Sequence, residues 1–299
     1  MRLFYTDIFV LPLPAGHRFP MEKYARLRQA LLACGDFDEN DFQIPHTASD
    51  AELLRAHDAA YLDLVCYGAL PEKTQKAIGF PWSEAMVERS RRSAGATICA
   101  CRAAMTDGVS ANLAGGTHHA FRDRGEGFCV FNDAAVAARA MQAEGLVQRV
   151  LIIDCDVHQG NGTASILAGD DTVFTFSIHG AKNFPFEKEQ SDLDIELPDG
   201  CSDAAYLLRL KEGLDTAFDI SRPDIVIYLA GADPYINDRL GRLGLSFDGL
   251  AERDCMVFAR CKLQNIPLTI VMAGGYAKQI DDTVTIHTTT IRLARQHWA

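Results

Sequence analysis

Four short apolar runs rich in β-branched residues constrain the fold of this chain more than any other feature of its sequence. They are Arg149–Ile153 (RVLII), Thr172–Ile178 (TVFTFSI), Asp224–Leu229 (DIVIYL) and Leu268–Met272 (LTIVM). Each run is too short for an ordinary helix, and apolar residues occupy both of its faces, which is typical of buried parallel strands. A further short strand is predicted at Ser110–Leu113.

Helical patterns alternate with these strands. They cover Ser83–Met105, Asp133–Glu144, Ser202–Phe218, Asp248–Gln264 and Asp281–Gln296. The alternation predicts a three-layer α/β/α fold with a mostly parallel central sheet and helices on both faces. The chain shows no repeat, low-complexity tract or Pro/Gly/Ser linker, so a single domain over residues 1–299 is expected. In such sheets ligands bind outside the carboxyl ends of the strands.

Composition excludes several classes of protein. Hydrophobic residues make up 48% and charged residues 23% of 299 residues, as in a globular chain. The net charge of −11 disfavours a nucleic-acid partner and would weakly attract basic ligands. Nine scattered cysteines without a CxxC pair indicate a reducing cytoplasm. No signal peptide and no membrane span are predicted, and no heptad or apolar stripe indicates the oligomeric state.

Potential metal ligands follow two of the predicted strands. Asp154, Asp156 and His158 come directly after one strand, and residues two apart point to the same side of an extended chain. Asp233 follows another strand and could complete the set. Two carboxylates and one imidazole suit a catalytic zinc ion that keeps an open position for water. One carboxylate is then surplus, and Asp154 could instead hold a histidine.

Acid–base groups follow the other predicted strands. His118 and His119 end a Gly-Gly turn, and imidazoles can take a proton from water and give one to a leaving amine. Each ring needs an orienting partner, and Asn161 could serve one of them. Tyr276 follows Gly274-Gly275, where its phenol could donate a hydrogen bond to an oxyanion.

These motifs resemble those of the zinc-dependent histone deacetylases, which share the arginase–deacetylase fold. The matching segments occur in family order over essentially the whole chain, and the Gln159-Gly160-Asn161-Gly162 form is most similar to the class IV branch and its bacterial relatives. The segments are His17-Arg18-Phe19-Pro20-Met21, Gly115-Gly116-Thr117-His118-His119-Ala120, Gly127-Phe128-Cys129-Val130-Phe131-Asn132-Asp133, Asp154 to Thr163, Gly231-Ala232-Asp233 and Gly274-Gly275-Tyr276.

The resemblance implies a role for each matching residue. Asp156, His158 and Asp233 match the ligands of one catalytic zinc ion. His119 matches the general base and acid, and His118 matches its electrostatic partner. The remaining matches are Asp154 as the carboxylate behind His118, Asn161 in place of the class I aspartate behind His119, and Tyr276 as the oxyanion donor.

The resemblance also implies a substrate channel and a second ion. Phe128 matches one wall of the acyl-lysine channel, with Phe184, Gly127 and Gly274 as the other channel candidates. A structural potassium ion would take oxygens of Asp154, Asp156, His158, Ser177 and Ile178. The chain has no counterpart of the rim aspartate that holds the substrate backbone in class I enzymes, since this stretch reads Gly79-Phe80-Pro81-Trp82-Ser83.

The expected activity is hydrolysis of an acyl-lysine amide in a protein or in a small acylated amine. An acetylpolyamine or a long-chain acyl-lysine is the alternative substrate. Two rival functions remain. A binuclear manganese hydrolase of the arginase type needs more carboxylates than this strand-end pattern provides. A non-catalytic acyl-lysine reader would not need all the catalytic groups that are present.

Overall fold

The computed structural model describes residues 1–299, and all of its strands belong to one parallel sheet. The eight strands pair in the order β2-β1-β3-β8-β7-β4-β5-β6. Their bounds are β1 Leu3–Phe4, β2 Phe42–Gln43, β3 Val109–Asn112, β4 Val150–Asp154, β5 Val173–Gly180, β6 Leu193–Leu197, β7 Ile225–Leu229 and β8 Leu268–Val271. All five predicted strands are confirmed, with ends shifted by one or two residues. The sequence did not predict β1, β2 and β6.

Ten α-helices connect and cover the strands. Their bounds are α1 Lys23–Ala33, α2 Asp50–Leu53, α3 Ala59–Cys66, α4 Glu72–Ile78, α5 Glu84–Asp107, α6 Asp133–Ala143, α7 Asn161–Leu167, α8 Asp203–Ser221, α9 Phe247–Leu263 and α10 Ile280–Trp298. The five predicted helices correspond to α5, α6, α8, α9 and α10. Helix α5 begins after Ser83, whose side chain accepts a hydrogen bond from the Met86 N–H, and ends at Gly108, which has a positive φ of 79°.

The apolar residues of each central strand supply two cores. In β4, Leu151 and Ile153 belong to a cluster of 39 buried residues, whereas Val150 and Ile152 belong to a cluster of 33. Successive side chains of a strand point to opposite faces, so both faces of the sheet are covered. This burial on both sides confirms the three-layer α/β/α prediction and explains why the strands read as continuous apolar runs.

The strand order brings the chemically important loops together. Strands β3, β8, β7 and β4 are consecutive in the sheet and parallel, so their carboxyl ends meet at one edge. All nine cysteines are free thiols, as expected from their spacing, while the cytoplasmic location stays a prediction. None of the helices combines the length and the apolar composition that crossing a membrane requires.

Candidate active site

Three side chains that could bind a metal ion converge where β4 and β7 end. One potential ligand atom from each of Asp156, His158 and Asp233 lies within 4.8 Å of the other two. The Nδ1 atom of His158 is 2.9 Å from Asp156 Oδ1 and 3.3 Å from Asp233 Oδ2. The other carboxylate oxygens are held by the main chain, because Gly274 N–H donates to Asp156 Oδ2 at 2.7 Å and Val157 N–H donates to Asp233 Oδ1 at 2.9 Å.

The electrostatics of this trio fit a cation. Asp233 is completely buried, and its Oδ2 atom makes no hydrogen bond, although His158 Nδ1 lies 3.3 Å away. A buried carboxylate oxygen without a hydrogen bond is costly. Burial, followed by the nearby charge of Asp156, raises the pKa of Asp233 to about 7. Two buried carboxylates and an imidazole nitrogen are a donor set that zinc accepts. The residues present therefore suit a divalent metal ion.

Gly274 is required by the close approach of both carboxylates. A Cβ atom at this position would lie 1.9 Å from Asp233 Oδ2 and 2.6 Å from Asp156 Oδ2. Gly274, one of the predicted channel residues, therefore allows the loop after β8 to pack directly against Asp156 and Asp233.

The histidine pair follows β3 and lies beside the trio. The two rings are 4.1 Å apart between centroids. His118 Nδ1 is 2.6 Å from Asp154 Oδ2, and His119 Nδ1 is 2.7 Å from Asn161 Oδ1. Burial lowers the pKa of His118, but the charges of Asp154 and Asp156 outweigh it and raise the value to about 9. Burial and then the charge of His118 hold the pKa of His119 well below its ordinary range.

Glu126 is a member of this network that sequence reasoning missed. The Asn161 side-chain N–H donates to Glu126 Oε1 at 2.5 Å. This contact directs the Asn161 carbonyl oxygen toward His119, and an acceptor at that point requires a proton on His119 Nδ1. The Nε2 atom of His119 is then left as the unprotonated nitrogen. The one available signal was the position of Glu126 directly before Gly127-Phe128.

Tyr276 is buried at the end of the loop after β8. Its main-chain N–H donates to Asp238 Oδ2 at 2.6 Å, and its carbonyl accepts from Arg239 Nε at 2.9 Å. Lys23, itself buried, donates to the Ala273 carbonyl at 3.2 Å and lies over the phenol ring. Burial raises the pKa of the Tyr276 hydroxyl well above its usual value, so it stays a neutral donor.

A cavity of about 680 Å³ opens above these groups. His118, His119, Asp156, His158 and Tyr276 all line it.

The four channel candidates border the same cavity. Phe128, Phe184, Gly127 and Gly274 all line it. The Phe184 ring stands edge-on to His119, with 4.9 Å between centroids. Gly127 has a φ of +56°, and a Cβ there would lie 2.6 Å from the His119 ring. Glycine is therefore needed at this position for both conformation and space.

Basic side chains surround the mouth of the cavity. The lining residues with a positive charge are Arg18, Lys76, Lys182, Arg239 and Arg242. Lys76 pairs with Glu72, and Arg242 and Lys182 share Asp199. Arg18 and Arg239 form no ion pair. The exposed lining of the cavity thus carries positive side chains although the chain as a whole is acidic, and the attraction of basic ligands expected from the net charge stays a prediction.

A buried ion pair supports the loops from below. Arg253 and Asp254 of α9 are almost completely buried, with 2.8 Å between Arg253 Nη2 and Asp254 Oδ1. Arg253 Nη1 also donates to the Gly231 carbonyl at 2.6 Å and to the Cys155 carbonyl at 3.4 Å. One guanidinium therefore ties together the two loops that carry Asp233 and Asp156. Sequence reasoning did not single out either residue of the pair.

The residues predicted to hold potassium lie at the end of β4, in the loop that follows it and in β5. Asp154 is paired in register with Ser177, and Ile178 follows. Both carboxylate oxygens of Asp154 already accept protein donors, from Asp156 N–H and from His118. The potassium ion stays a prediction.

Solved structures with the same architecture define the class of fold. An HDAC homologue from Aquifex aeolicus has a TM-score of 0.81 over 98% of this chain and 83% of that chain, at 24% identity. An HDAC homologue complexed with SAHA gives 0.82 at the same identity and coverage. The fold is therefore of the arginase–deacetylase type, as predicted.

Sequence comparisons define the family. The histone deacetylase domain model matches residues 17–291. An uncharacterized protein of Picosynechococcus sp. is 43% identical over 97% of both chains. Histone deacetylase 2 of Arabidopsis thaliana is 32% identical over 91% of this chain and 73% of its own length. A histone deacetylase-like amidohydrolase of Pseudomonas aeruginosa is 30% identical over 89% of this chain and 74% of its own length. The chain belongs to the histone deacetylase family and is a hydrolase of that family.

Proposed function

We propose that this protein is a zinc-dependent deacylase that removes an acetyl or other acyl group from the side-chain amine of lysine. The observation that carries the proposal is the buried Asp156, His158 and Asp233 trio beside the His118-His119 pair at one cavity. When bound by the trio, a zinc ion would polarise the acyl carbonyl and acidify water.

His119 is proposed as the proton carrier. Its Nδ1 proton is held by Asn161, which leaves Nε2 free to accept a proton from the attacking water. Oxygen bonds to the carbonyl carbon as that proton moves. The same nitrogen then protonates the lysine amine while the carbon–nitrogen bond breaks. The low pKa of His119 keeps the ring neutral before reaction and makes its protonated form a strong acid.

Tyr276 and His118 are proposed to stabilise negative charge. The Tyr276 hydroxyl remains protonated and can donate to the tetrahedral oxyanion. The Nδ1–H group of His118 donates a hydrogen bond to Asp154, and the raised pKa of His118 favours the cationic ring near neutral pH. A fixed positive charge beside His119 opposes early protonation of that ring and offsets the developing charge of the substrate.

The mouth of the cavity bears on the choice of substrate. An acetylpolyamine carries positive charges of its own and would meet Arg18 and Arg239, which form no ion pair. We therefore favour a substrate with acidic groups near the acylated amine. It would be either an acyl-lysine in a protein or a small acylated amine. A long acyl chain stays an alternative, since Phe128 and Phe184 offer apolar contacts along the cavity.

Metal removal and restoration test the proposal. Chelated protein should lose turnover of a fluorogenic acetyl-lysine peptide and regain it when one equivalent of Zn²⁺ is added. Asp156→Asn and His158→Ala should lose both the ion, measured by elemental analysis, and the activity. Tyr276→Phe should keep the ion while kcat falls by about 10²–10³. Full turnover by metal-free protein, or by Tyr276→Phe, would contradict the assignment.

The same experiments separate the rival functions. A binuclear manganese enzyme would bind two ions per chain and would prefer manganese for activation. A reader without catalysis would bind acyl-lysine peptides but hydrolyse none of a panel of acetyl, long-chain acyl and acetylpolyamine substrates. A single tightly bound ion together with turnover of any acyl-lysine supports the deacylase.

A further inference from the structure

A cysteine, a histidine and a glutamate form a second reactive cluster that does not line the catalytic cavity. Cys99 Sγ is 3.1 Å from His46 Nδ1, and His46 Nε2 is 3.2 Å from both carboxylate oxygens of Glu52. Cys99 lies on α5, His46 on the loop that crosses this helix, and Glu52 on α2. A nucleophile, a base and a group that orients the base are the elements of an activated thiol.

The Glu52 carboxylate is fixed independently of the histidine. Its Oε2 atom accepts hydrogen bonds from Ser49 N–H at 2.8 Å and from Ser49 Oγ at 2.9 Å. The first of these and the hydrogen bond from Glu52 N–H to Ser49 Oγ at 3.3 Å form the capping box of α2. Its Oε1 atom lies 3.3 Å from Arg102 Nη2. A carboxylate held in this way accepts a hydrogen bond from the His46 Nε2–H group, so the Nδ1 atom of the ring faces the Cys99 sulfur.

The loop that carries His46 is pressed against α5. A Cβ atom on Gly95 would lie 2.1 Å from the His46 carbonyl oxygen. Arg92 Nη1 donates to the Pro45 carbonyl at 2.7 Å, and Arg91 Nη1 donates to the Ala48 carbonyl at 3.1 Å. These contacts on both sides of His46 position the imidazole beside the Cys99 sulfur, and none of them involves the thiol group.

Charge and exposure distinguish Cys99 from most other thiols of the chain. Burial raises the pKa of the Cys99 thiol, but hydrogen bonds from the side chain and backbone of His46 and the charges of His46 and Arg102 outweigh it and lower the value. The hydrogen bond with Cys99 likewise raises the pKa of His46. Cys99 is only partly buried, and the His46 side chain is 36% exposed. By contrast, burial raises the pKa of Cys101, Cys129, Cys155, Cys201, Cys255 and Cys261.

We propose that Cys99 is a reactive thiolate, activated by His46 and Glu52, and that it is a modification site for small two-electron oxidants such as hydrogen peroxide. The Cys99 sulfur attacks one peroxide oxygen, the sulfur–oxygen bond forms and the oxygen–oxygen bond breaks. Sulfur is oxidised by two electrons to a sulfenic acid, and peroxide is reduced. The leaving hydroxide takes the proton of the His46 imidazolium and departs as water.

The test uses the full-length protein and compares two of its own thiols. Cys66 is the matched control, because it is also partly buried and lies 3.1 Å from the Arg91 guanidinium but has no histidine partner. Alkylation by iodoacetamide at pH 7 is followed by mass spectrometry of each cysteine peptide. Cys99 should react about five-fold faster than Cys66 or more, and after peroxide a sulfenic-acid trap such as dimedone should label Cys99 first.

Two variants test the activating groups. His46→Gln should slow alkylation of Cys99 about five-fold at pH 7 and leave Cys66 unchanged. Glu52→Gln keeps a residue that can complete the capping box, so a smaller loss at Cys99 with unaltered folding is expected. Should His46→Gln fail to fold, the wild-type comparison and Glu52→Gln still decide. Equal rates at Cys99 and Cys66 in the wild type, or a Cys99 rate indifferent to both variants, would overturn the proposal.

Discussion

Glu126→Gln is the substitution that most directly tests how His119 is held. In the wild type the Glu126 carboxylate can only accept, so Asn161 must turn its N–H toward it and its carbonyl toward His119. A neutral amide at position 126 can donate as well as accept. The Asn161 amide could then turn around, and His119 would carry its proton on the wrong nitrogen for catalysis.

The size of the effect follows from the kind of hydrogen bond lost. A hydrogen bond to a charged group contributes about 1.5–3 kcal/mol and a neutral one about 0.5–1.5 kcal/mol. Replacing one by the other weakens the orientation of Asn161 by about 1 kcal/mol, which corresponds to about a five-fold fall in kcat. KM should be unchanged, because Glu126 does not line the cavity.

A double variant tests whether the lost activity can be restored. Asn161→Asp alone places two carboxylates against each other, and the resulting competition for a proton should lower kcat about ten-fold. Adding Glu126→Gln gives the new carboxylate an amide donor and should restore kcat to within about three-fold of the wild type. Steady-state kinetics on a fluorogenic acetyl-lysine peptide measures all four proteins. Glu187→Gln is the control, an exposed acidic residue near Phe184 and Phe186.

The account of Glu126 fails on either of two results. One is a kcat for Glu126→Gln that stays within two-fold of the Glu187→Gln control. The other is a double variant no more active than Asn161→Asp alone, since a carboxylate that merely stabilised the loop could not rescue the neighbouring substitution.

Three further predictions follow from charge and burial. Arg18→Gln should lower kcat/KM for acetyl-lysine peptides with acidic flanking residues about three-fold at low salt and not at about 0.5 M salt. Arg209→Gln, at an exposed position of α8, should change kcat/KM at neither salt concentration. Burial lowers the pKa of His57 to about 4. The unfolded chain therefore binds this proton first, and about 3 kcal/mol of stability should disappear as pH falls from about 6.5 to 4. Urea unfolding at pH 7 and pH 4 should show a smaller loss for His57→Gln, and equal losses would refute the assignment. Asp233→Asn should raise the Tm of chelated protein by a few degrees at about pH 8 while abolishing metal binding, because it replaces a carboxylate whose charged form is disfavoured by burial; a lower Tm would contradict this.

The part of the fold that sequence predicts is the part whose physics is local. Strand β4 is apolar on both faces because both faces are buried, so five residues suffice to identify it. Strands β1 and β2 have two residues each, too few for any periodicity. Strand β6, Leu193–Leu197, lies at the edge of the sheet and carries two acidic residues, so no apolar run marks it. These strands exist because neighbouring strands offer hydrogen bonds, which is tertiary information.

The same division holds for the site. Asp156 and His158 could be found because they follow a strand at a spacing of two, and His118-His119 because a glycine turn exposes them. Spacing alone did not decide between Asp154 and Asp156 as the ligand. In the folded chain Asp154 lies against His118, whereas Asp156 faces His158. The contact of Glu126 with Asn161 could not be predicted from the sequence, since the two residues are 35 positions apart in the chain.

The surrounding structure explains how a site that buries two carboxylates is held in place. Asp156 and Asp233 are both buried, and burial raises the pKa of Asp233 even though His158 lies beside it, so the trio is not a source of stability by itself. Stability comes instead from the surroundings: Gly274 N–H holds one carboxylate, and Arg253 ties both loops to α9. Because these supports do not involve the ligand atoms that face His158, the geometry can persist while charge in the centre changes. Such preorganisation is what catalysis by fixed groups requires, since no reorganisation is then needed when the oxyanion forms.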